Sequence, residues 1–345
     1  MNQQGSSPDA GRRLRPRRLL GFLSLALPLT MLLGTMAGPV WIPVSDWFAE
    51  GAAADYANLI IGSIRFPRIM LAAVVGALLA VCGAMLQGLF RNPLADPTLI
   101  GVSAGASVGA GLVIVLGELL LGLQAAGFAG VATGAFIGGL SVALLVYRLA
   151  TGPQGTSVST MLLAGIAVSA MAGALNSLFG FFSDNEALRR ISLWQMGNLD
   201  HSSWLPFWIC ATVLGVFALR LPGQSAALNA FLLGESEARH LGIDVDRCKR
   251  QLIGLTALGV GVAVAVAGTI AFVGLMVPHA VRMLIGPDHR YLLPASALAG
   301  AVLLILADTL ARVLIAPSEL PTGVVTAMLG APFFVFLLRH RRAMV

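Results

Sequence analysis

One stretch, residues 65–106, constrains the fold of this chain more than any other. After Arg68 it runs through an apolar segment of about twenty residues, which is long enough to cross a bilayer. A polar break follows at residues 87–97, and the sequence becomes apolar again at Ile100. Backbone groups in such a break would stay unsatisfied in contact with lipid. We therefore expect the break to lie at a membrane surface or beside a wet cavity.

Composition indicates a membrane protein. Of 345 residues, 57% are hydrophobic and 11% are charged, whereas soluble domains carry about 25% charged residues. The formal net charge of +6 is mostly arginine. Positively charged cytoplasmic loops explain this charge better than nucleic-acid binding. Cys82, Cys210 and Cys248 are far apart and lack metal or redox spacing, so we interpret them as packing residues.

Ten apolar segments are predicted to be membrane-spanning helices of an all-α, multi-pass protein. They lie at about residues 19–38, 66–89, 99–116, 124–147, 158–182, 204–220, 292–314 and 322–338, with two more sharing residues 251–285 on either side of Gly268. Residues 1–18 are predicted to be a basic cytoplasmic tail, and residues 19–345 a single transmembrane domain. We interpret the first apolar run as a retained helix, because a good signal-peptide cleavage site is missing. Ten crossings place both termini in the cytoplasm and give two five-helix halves of opposite orientation.

Two polar stretches are predicted to form short helices outside the membrane. Residues 183–203 keep apolar side chains at helical spacing, which indicates an amphipathic helix on the outer surface. Residues 222–250 contain Arg239, Arg247, Lys249 and Arg250 and are therefore predicted to be cytoplasmic. Within them, residues 228–233 and 235–241 predict two helices separated by Gly234, with Gly242 as a stop signal. The simpler interpretation of this segment is a solvated loop. The more specific interpretation is a surface-lying helix that contacts a separate, soluble motor protein.

The residue patterns argue against several functions. The sequence contains no G-x-x-x-x-G-K-[ST] motif and no metalloprotease, hydrolase or His/Cys metal pattern. An ion-coupled transporter would need acidic residues within its spans, and Asp308 is the only candidate. Arg312 lies four residues later on the same helix, so we expect the two side chains to pair. Arg65, Arg68 and Arg312 lie at predicted outer ends of helices. They either extend to lipid headgroups or receive acidic side chains of a docking protein.

Long motifs then carry a resemblance to a known family. RFPR, GAMLQGLFRNPLADPTLIGVSAGASVGA, LLAGIA, LGESEARHLGI, GTIAFVGLMVPHAVR, ADTLAR and ELPTGVVTAMLGAPFF occur in order between about residues 60 and 340. In these motifs the chain resembles the permeases of bacterial ABC importers (type II) for iron-siderophores, haem and vitamin B12. The resemblance implies a homodimer with ten helices per subunit in the bacterial inner membrane. It also implies two separate ATPase subunits, which hold the ATP, and a periplasmic substrate-binding protein.

The resemblance assigns roles to individual residues. The segment that matches the family's ATPase-coupling helices comprises Leu232, Leu233, Gly234, Glu235, Ala238, Arg239, Leu241 and Gly242. Arg65, Arg68 and Arg312 match arginines that face the binding protein. Asn92 and Leu94 match one side of the cytoplasmic gate, and Ser157 and Ser159 match the other. Spans 5 and 10 are implied to line the pathway.

The cargo is predicted from the wall of span 5 and from the segment after it. Met171, Asn176 and Phe179 belong to a soft, mostly apolar wall, which a lipid-facing helix would equally show. Residues 183–199, SDNEALRRISLWQMGNL, are similar to the haem-permease version of this connection. Arg189 and Arg190 would attract haem propionates there or contact lipid headgroups. His201 is a candidate haem ligand or a plain surface residue. We expect haem as cargo ahead of a ferric siderophore, with vitamin B12 last, and no permanently bound cofactor.

Overall fold

The structure is a bundle of twelve α-helices in the part of the chain that it describes. The computed structural model describes residues 14–39, 42, 44–47, 55, 58–121, 127–153 and 155–342. The helices are α1 (Pro16–Met36), α2 (Phe66–Leu89), α3 (Val102–Leu121), α4 (Phe128–Ala150), α5 (Val158–Phe182), α6 (Asn185–Met196), α7 (Trp204–Phe231), α8 (Glu235–His240), α9 (Val245–Ala267), α10 (Val273–Ile285), α11 (His289–Val313) and α12 (Thr322–Arg342). The all-α membrane fold is thus confirmed. Most of the basic tail at residues 1–18 lies outside the described residues.

Short elements connect these helices. A π-helical turn, Ile60–Arg65, leads directly into α2, and a 3₁₀ turn, Pro97–Ile100, precedes α3. A small antiparallel hairpin pairs β1 (Thr151–Gly152) with β2 (Gly155–Thr156) immediately before α5. Of the predicted polar break at residues 87–97, the first three residues end α2, and the rest form a turn that leads into the 3₁₀ segment.

Ten helices match the ten predicted spans. In the described residues, seven are long and apolar enough to cross a bilayer, and α3, α10 and α12 contain shorter apolar stretches. The predicted limits of α2 and α5 agree with the structure, and α9 ends where expected, at Gly268, whose φ is +67°. The amphipathic helix predicted after span 5 is α6.

The prediction for span 6 was wrong at its end. Instead of ending near residue 220, α7 continues through Pro222 to Phe231, and α9 begins at Val245 rather than near residue 251. Proline lacks the N–H that a helix interior uses, so it is normally a stop signal, but membrane helices tolerate it where neighbouring groups satisfy the freed carbonyl. The connection between these helices is thus shorter than the predicted segment 222–250, and the first helix of its predicted pair is the end of α7.

Side-chain oxygens cap the starts of several elements. Each accepts a hydrogen bond from a backbone N–H two or three residues later, which satisfies a group that has no partner within the helix. The caps are Asp96 for the 3₁₀ turn, Ser157 for α5, Asp184 for α6, Asp244 for α9 and Asp288 for α11. These polar residues explain why the helices begin where they do.

The centre of the bundle is α2. It is buried along nearly its whole length and packs against α7, α9, α10 and α11. Glycines permit the close approach: a Cβ added at Gly76 would clash with the carbonyl oxygen of Gly300 on α11, and one at Gly83 would clash with that of Gly274 on α10. Small residues are what membrane helices use to bring their backbones together. By contrast, α5 is the least buried of the seven long helices, since only 17% of its most apolar window is buried.

The contact between Gly76 and Gly300 yields a stability prediction. Replacing Gly76 by Ala forces two helix backbones apart, and we expect a loss of about 1–3 kcal/mol in the free energy of unfolding. The measurement is the fraction of detergent-solubilised protein that stays monodisperse after heating. Gly215→Ala on α7 is the matched control, because a Cβ there meets nothing within 4 Å. Equal heat resistance of the two variants would contradict the close-packing argument.

Candidate functional site

The buried carboxylate of Asp308 organises one end of the bundle, which we call the outer end after its predicted side. The Asp308 side chain is 1% exposed. It accepts hydrogen bonds from Arg68 Nε at 3.0 and 3.1 Å, from Arg312 Nε at 3.1 Å and from Thr322 Oγ1 at 3.2 Å. These residues join α2, α11 and α12. The expected pairing of Asp308 with Arg312 on one helix face is confirmed.

Arg68 also reaches two acids nearer the surface. Its Nη1 pairs with Glu319 Oε2 at 2.8 Å, and its Nη2 with Asp200 Oδ1 at 3.3 Å. The Arg68 side chain is 8% exposed, whereas those of Glu319 and Asp200 are 31% and 47% exposed. Partial burial raises the pKa of Asp200, and the positive charge of Arg68 opposes that effect. The outer surface of this cluster is therefore acidic, and the arginine lies beneath it.

Two other arginines cap the end of α1. Arg312 Nη1 donates to Ala37 O at 2.9 Å and its Nη2 to Gly34 O at 3.0 Å. Arg65 Nη1 donates to Thr35 O and to Met36 O, both at 3.0 Å. The last carbonyls of a helix have no intrahelical partner and carry partial negative charge, so guanidinium groups stabilise them.

The three predicted docking arginines are thus buried and engaged within the chain. Arg65, Arg68 and Arg312 are 5%, 6% and 3% exposed. The alternative in which they extend to headgroups was wrong, because their guanidinium groups turn inward to carbonyls and carboxylates. Their role in docking stays a prediction. In the structure they hold the helices of the outer end together.

The predicted coupling segment lies at the opposite end, which we call the inner end. Gly234 (φ +132°) and Gly242 (φ +81°) bracket α8, and only glycine adopts such backbone conformations readily. Ala238 is fully buried and holds α8 to the bundle, whereas Leu233 and Leu241 are 68% and 64% exposed. Arg239 is exposed and pairs with Asp246 of α9 at 3.2 Å, Leu232 is half-buried, and Glu235 pairs with Lys249.

The predicted gate residues lie on neighbouring elements of the inner end. In the loop after α2, Asn92 Oδ1 accepts the N–H of Leu94 at 2.9 Å, and Leu94 is 41% exposed. On the other element, Ser157 caps α5 and Ser159 is exposed. The 3₁₀ turn that follows this loop packs closely against α5, because a Cβ added at Gly165 of α5 would clash with the carbonyl oxygen of Leu99.

The predicted pathway residues on α5 do not share one face. Asn176 Nδ2 donates to Ser107 Oγ of α3 at 2.8 Å, and Phe179 covers Gly111 of α3. Met171 is 66% exposed and borders an apolar cavity of about 770 Å³ between α3, α4 and α5. Two of these side chains therefore pack inside the chain, and one faces outward.

Beyond α5, the side chains predicted to recognise haem are accessible. Arg189 is exposed, Arg190 is partly buried, and exposed His201 has its ring 5.2 Å from that of Phe128. Across the described residues, no group of three or more His, Cys, Asp or Glu side chains is placed to hold a metal ion.

Several residues of these sites were missed by sequence reasoning. Asp200 and Glu319 complete the Arg68 cluster, and Lys249 joins α9 to Glu235. Asn229, near the end of α7, bonds Asp288 and His289. Lys249 did carry a signal, because it is the only lysine in the sequence. Asp200, Glu319 and Asn229 stand in ordinary polar stretches of the sequence, which carried no such signal.

The Asp308 cluster yields a second stability prediction. Asp308→Ala leaves two buried guanidinium groups without their shared carboxylate, which should cost about 3–5 kcal/mol of folding free energy. Asp246→Ala is the control, because it breaks the exposed pair with Arg239, and such pairs contribute about 0–1 kcal/mol. Heat resistance in detergent again measures both. Equal loss in the two variants would show that the cluster does not hold the outer end.

Comparisons with known proteins agree with this architecture. The model of the FecCD transport family matches residues 26–340. The chain is 42% identical over 330 residues to the hemin transport system permease protein HmuU of Yersinia pestis, covering 96% of this chain and 98% of that protein. It is also 42% identical over 339 residues to the cobalamin import system permease protein BtuC of Halobacterium salinarum, covering 95% of this chain and 89% of that protein.

A solved structure has the same fold. It is a metal-chelate type ABC transporter in an inward-facing conformation, with a TM-score of 0.83 and 33% identity, covering 94% of this chain and 99% of that chain. The family match extends over nearly the whole helical bundle, including both ends described above. This chain belongs to the FecCD transport family and is the permease component of an ABC transporter.

Proposed function

We propose that the chain is the permease of an ATP-driven importer that moves haem, or another iron chelate, from the periplasm to the cytoplasm. Two identical permease subunits, two separate ATPase subunits and a periplasmic binding protein make up the proposed complex in the bacterial inner membrane. Both termini are proposed to be cytoplasmic. The observation that carries the proposal is α8, an anchored helix flanked by two exposed leucines at the inner end.

The chemistry of α8 suits a soluble partner. Leu233 and Leu241 expose apolar surface in an otherwise charged segment, next to Arg239 and Glu237. Exposed apolar groups with a polar rim are typical of protein interaction sites. Because the sequence has no P-loop, ATP hydrolysis must occur on another chain if the transport is ATP-driven. The chain itself is therefore proposed to be no enzyme.

The alternative from another class, an ion-coupled secondary transporter, fits less well. Its required acid, Asp308, is held by two guanidinium groups at 2.9–3.1 Å and by a hydroxyl. A carboxylate so fully paired is poorly suited to take up and release an ion. Among the side chains whose burial the structure describes, Asp308 is the one carboxylate that is buried.

The proposed pathway involves a second copy of the chain. The exposed face of α5 leaves Met171, Phe181 and Phe182 uncovered, each at least 66% exposed. The family resemblance implies that α5 and α12 line a pathway shared by two subunits. A second copy would enclose the cargo between two such apolar walls and would offer it few hydrogen-bonding groups.

Docking of the binding protein is proposed at the outer end. Arg68 is the best placed of the three arginines, because its partners Glu319 and Asp200 reach the surface. A carboxylate of the binding protein would replace one of these two acids on Arg68. Arg65 and Arg312 would act indirectly, by holding the end of α1.

Haem is the proposed cargo on the strength of residues 183–199. Exposed Arg189 and partly exposed Arg190 provide cations for propionates on α6, and His201 lies near them in sequence. Sequence identity does not separate the cargoes, because the haem and cobalamin permeases are both 42% identical to this chain. A ferric siderophore or vitamin B12 is the alternative cargo within the family.

Replacing the two exposed leucines that flank α8 should weaken binding of the ATPase. Leu233→Glu with Leu241→Glu places two charges in an apolar contact, and we expect at least about a tenfold loss of affinity, as for other central apolar contacts. Co-purification and a titration of the ATPase subunit measure it. Leu193→Glu on α6 is the control, since Leu193 is an exposed leucine of a helix at the other end. Intact assembly in the double variant would refute the α8 contact.

Reconstitution tests the cargo. Proteoliposomes with the ATPase and the binding protein should take up haem when ATP is supplied, and Arg189→Ala with Arg190→Ala should slow that uptake, because propionates lose their attraction. Uptake of a siderophore or vitamin B12 instead would keep the importer and overturn the haem assignment. Uptake driven by an ion gradient without ATPase would favour the secondary transporter.

A further inference from the structure

Lys249 forms a buried junction at the inner end. It is the only lysine in the sequence, and it is 4% exposed. Its ammonium group lies 2.7 Å from Glu235 Oε1 and donates to Glu235 Oε2 at 2.8 Å and to the carbonyl oxygen of Thr156 at 2.9 Å. An ammonium group has three N–H donors and no acceptor, so a carboxylate and a carbonyl suit it well.

The junction connects two elements that have separate roles in the proposed importer. Glu235 is the first residue of α8, and Thr156 is the last residue of the β1–β2 hairpin, directly before Ser157 caps α5. Lys249 itself belongs to α9, which packs against α2, α4 and α7. One side chain therefore joins the helix that faces the ATPase to the turn that holds one side of the gate.

A second contact holds the same elements together at the surface. Asp246, one turn before Lys249, pairs with Arg239 of α8. A Cβ added at Gly155 in the hairpin would lie 2.6 Å from Asp246 Oδ1, so the hairpin lies directly against this carboxylate. Both side chains of that exposed pair are more than half exposed, whereas the Lys249 side chain is 5% exposed. Water therefore screens the surface pair more than the Lys249–Glu235 pair, in which the lysine is buried and the Glu235 side chain is 36% exposed.

We propose that Lys249 is a positioning residue that transmits movement of α8 to the turn before α5. The inference rests on the proposed function, since it assumes that an ATPase moves α8. When α8 shifts, Glu235 carries the ammonium group with it, and the bond to Thr156 O shifts the hairpin. Rigid elements joined by short bonds pass on displacement as a unit.

The bond to Thr156 distinguishes this role from a simple clamp between α8 and α9. Lys249→Met keeps the length of the side chain and removes all three donors. Lys249→Arg keeps the charge and the donors, so it should restore part of the response. Exchanging the pair, as Lys249→Glu with Glu235→Lys, restores an ion pair between α8 and α9 but puts at position 249 a carboxylate, which cannot donate to Thr156 O. A clamp would survive the exchange, and the proposed connection would not.

The experiment follows the gate and the ATPase together in the reconstituted complex. Ser159→Cys places a thiol on the exposed first turn of α5, and the native Cys82, Cys210 and Cys248 are buried. We expect ATP to change the rate at which a membrane-impermeant maleimide labels this thiol. Lys249→Met should abolish that change and lower uptake per ATP hydrolysed by about tenfold, within the 5- to 150-fold range of typical coupling between sites. ATPase binding should persist, because Leu233 and Leu241 are unchanged.

Controls separate the outcomes. Arg250→Gln removes one exposed positive charge beside Lys249 and should leave the ATP response intact. A full ATP response in Lys249→Met, or in the exchanged pair, would overturn the role of Lys249 while leaving the importer standing. Loss of ATPase binding in Lys249→Met would also overturn it, by showing that the lysine only keeps α8 in shape. No response to ATP in the unsubstituted complex would overturn the proposed function and this inference with it.

Discussion

The structure depends on how closely other helices approach α2. In lipid, helices gain little from burying apolar side chains against each other, because the lipid is equally apolar. Packing and a few polar contacts must hold them instead. Gly76 and Gly83 let α11 and α10 come against α2 at backbone distance, and the ends of α2 carry the polar contacts. The outer end is fixed by Arg68 on Asp308, and at the inner end Gln87 donates to Leu275 O.

The two ends are built differently, and the difference suits the proposed transport. At the outer end, one buried carboxylate gathers Arg68 and Arg312 from two helices, and Arg312 also holds the end of α1. At the inner end, a buried lysine joins α8 to a short hairpin. A dense cluster resists displacement, whereas a junction between short elements passes it on. We therefore expect the outer cluster to stay fixed while the inner elements move.

Sequence reasoning succeeded where local chemistry decides the structure. The start of α5 follows from a serine cap, and the end of α9 follows from Gly268, because glycine readily adopts a positive φ. It failed at Pro222, where tertiary packing overrides the local stop signal. Pairings between distant residues, such as Arg68 with Asp308, could not be predicted because many outer acids were available. The inward turn of Asn176 and Phe179 likewise depends on where α3 packs.

Hydrogen exchange on the assembled complex, with and without ATP, tests the account most directly. It reports the opening of backbone hydrogen bonds in each segment. The account predicts that ATP changes exchange in residues 151–160 and 232–242 together, and leaves the segments around Arg68, Asp308 and Arg312 unchanged. Changes confined to the outer end, or changes in residues 232–242 without any in residues 151–160, would contradict it.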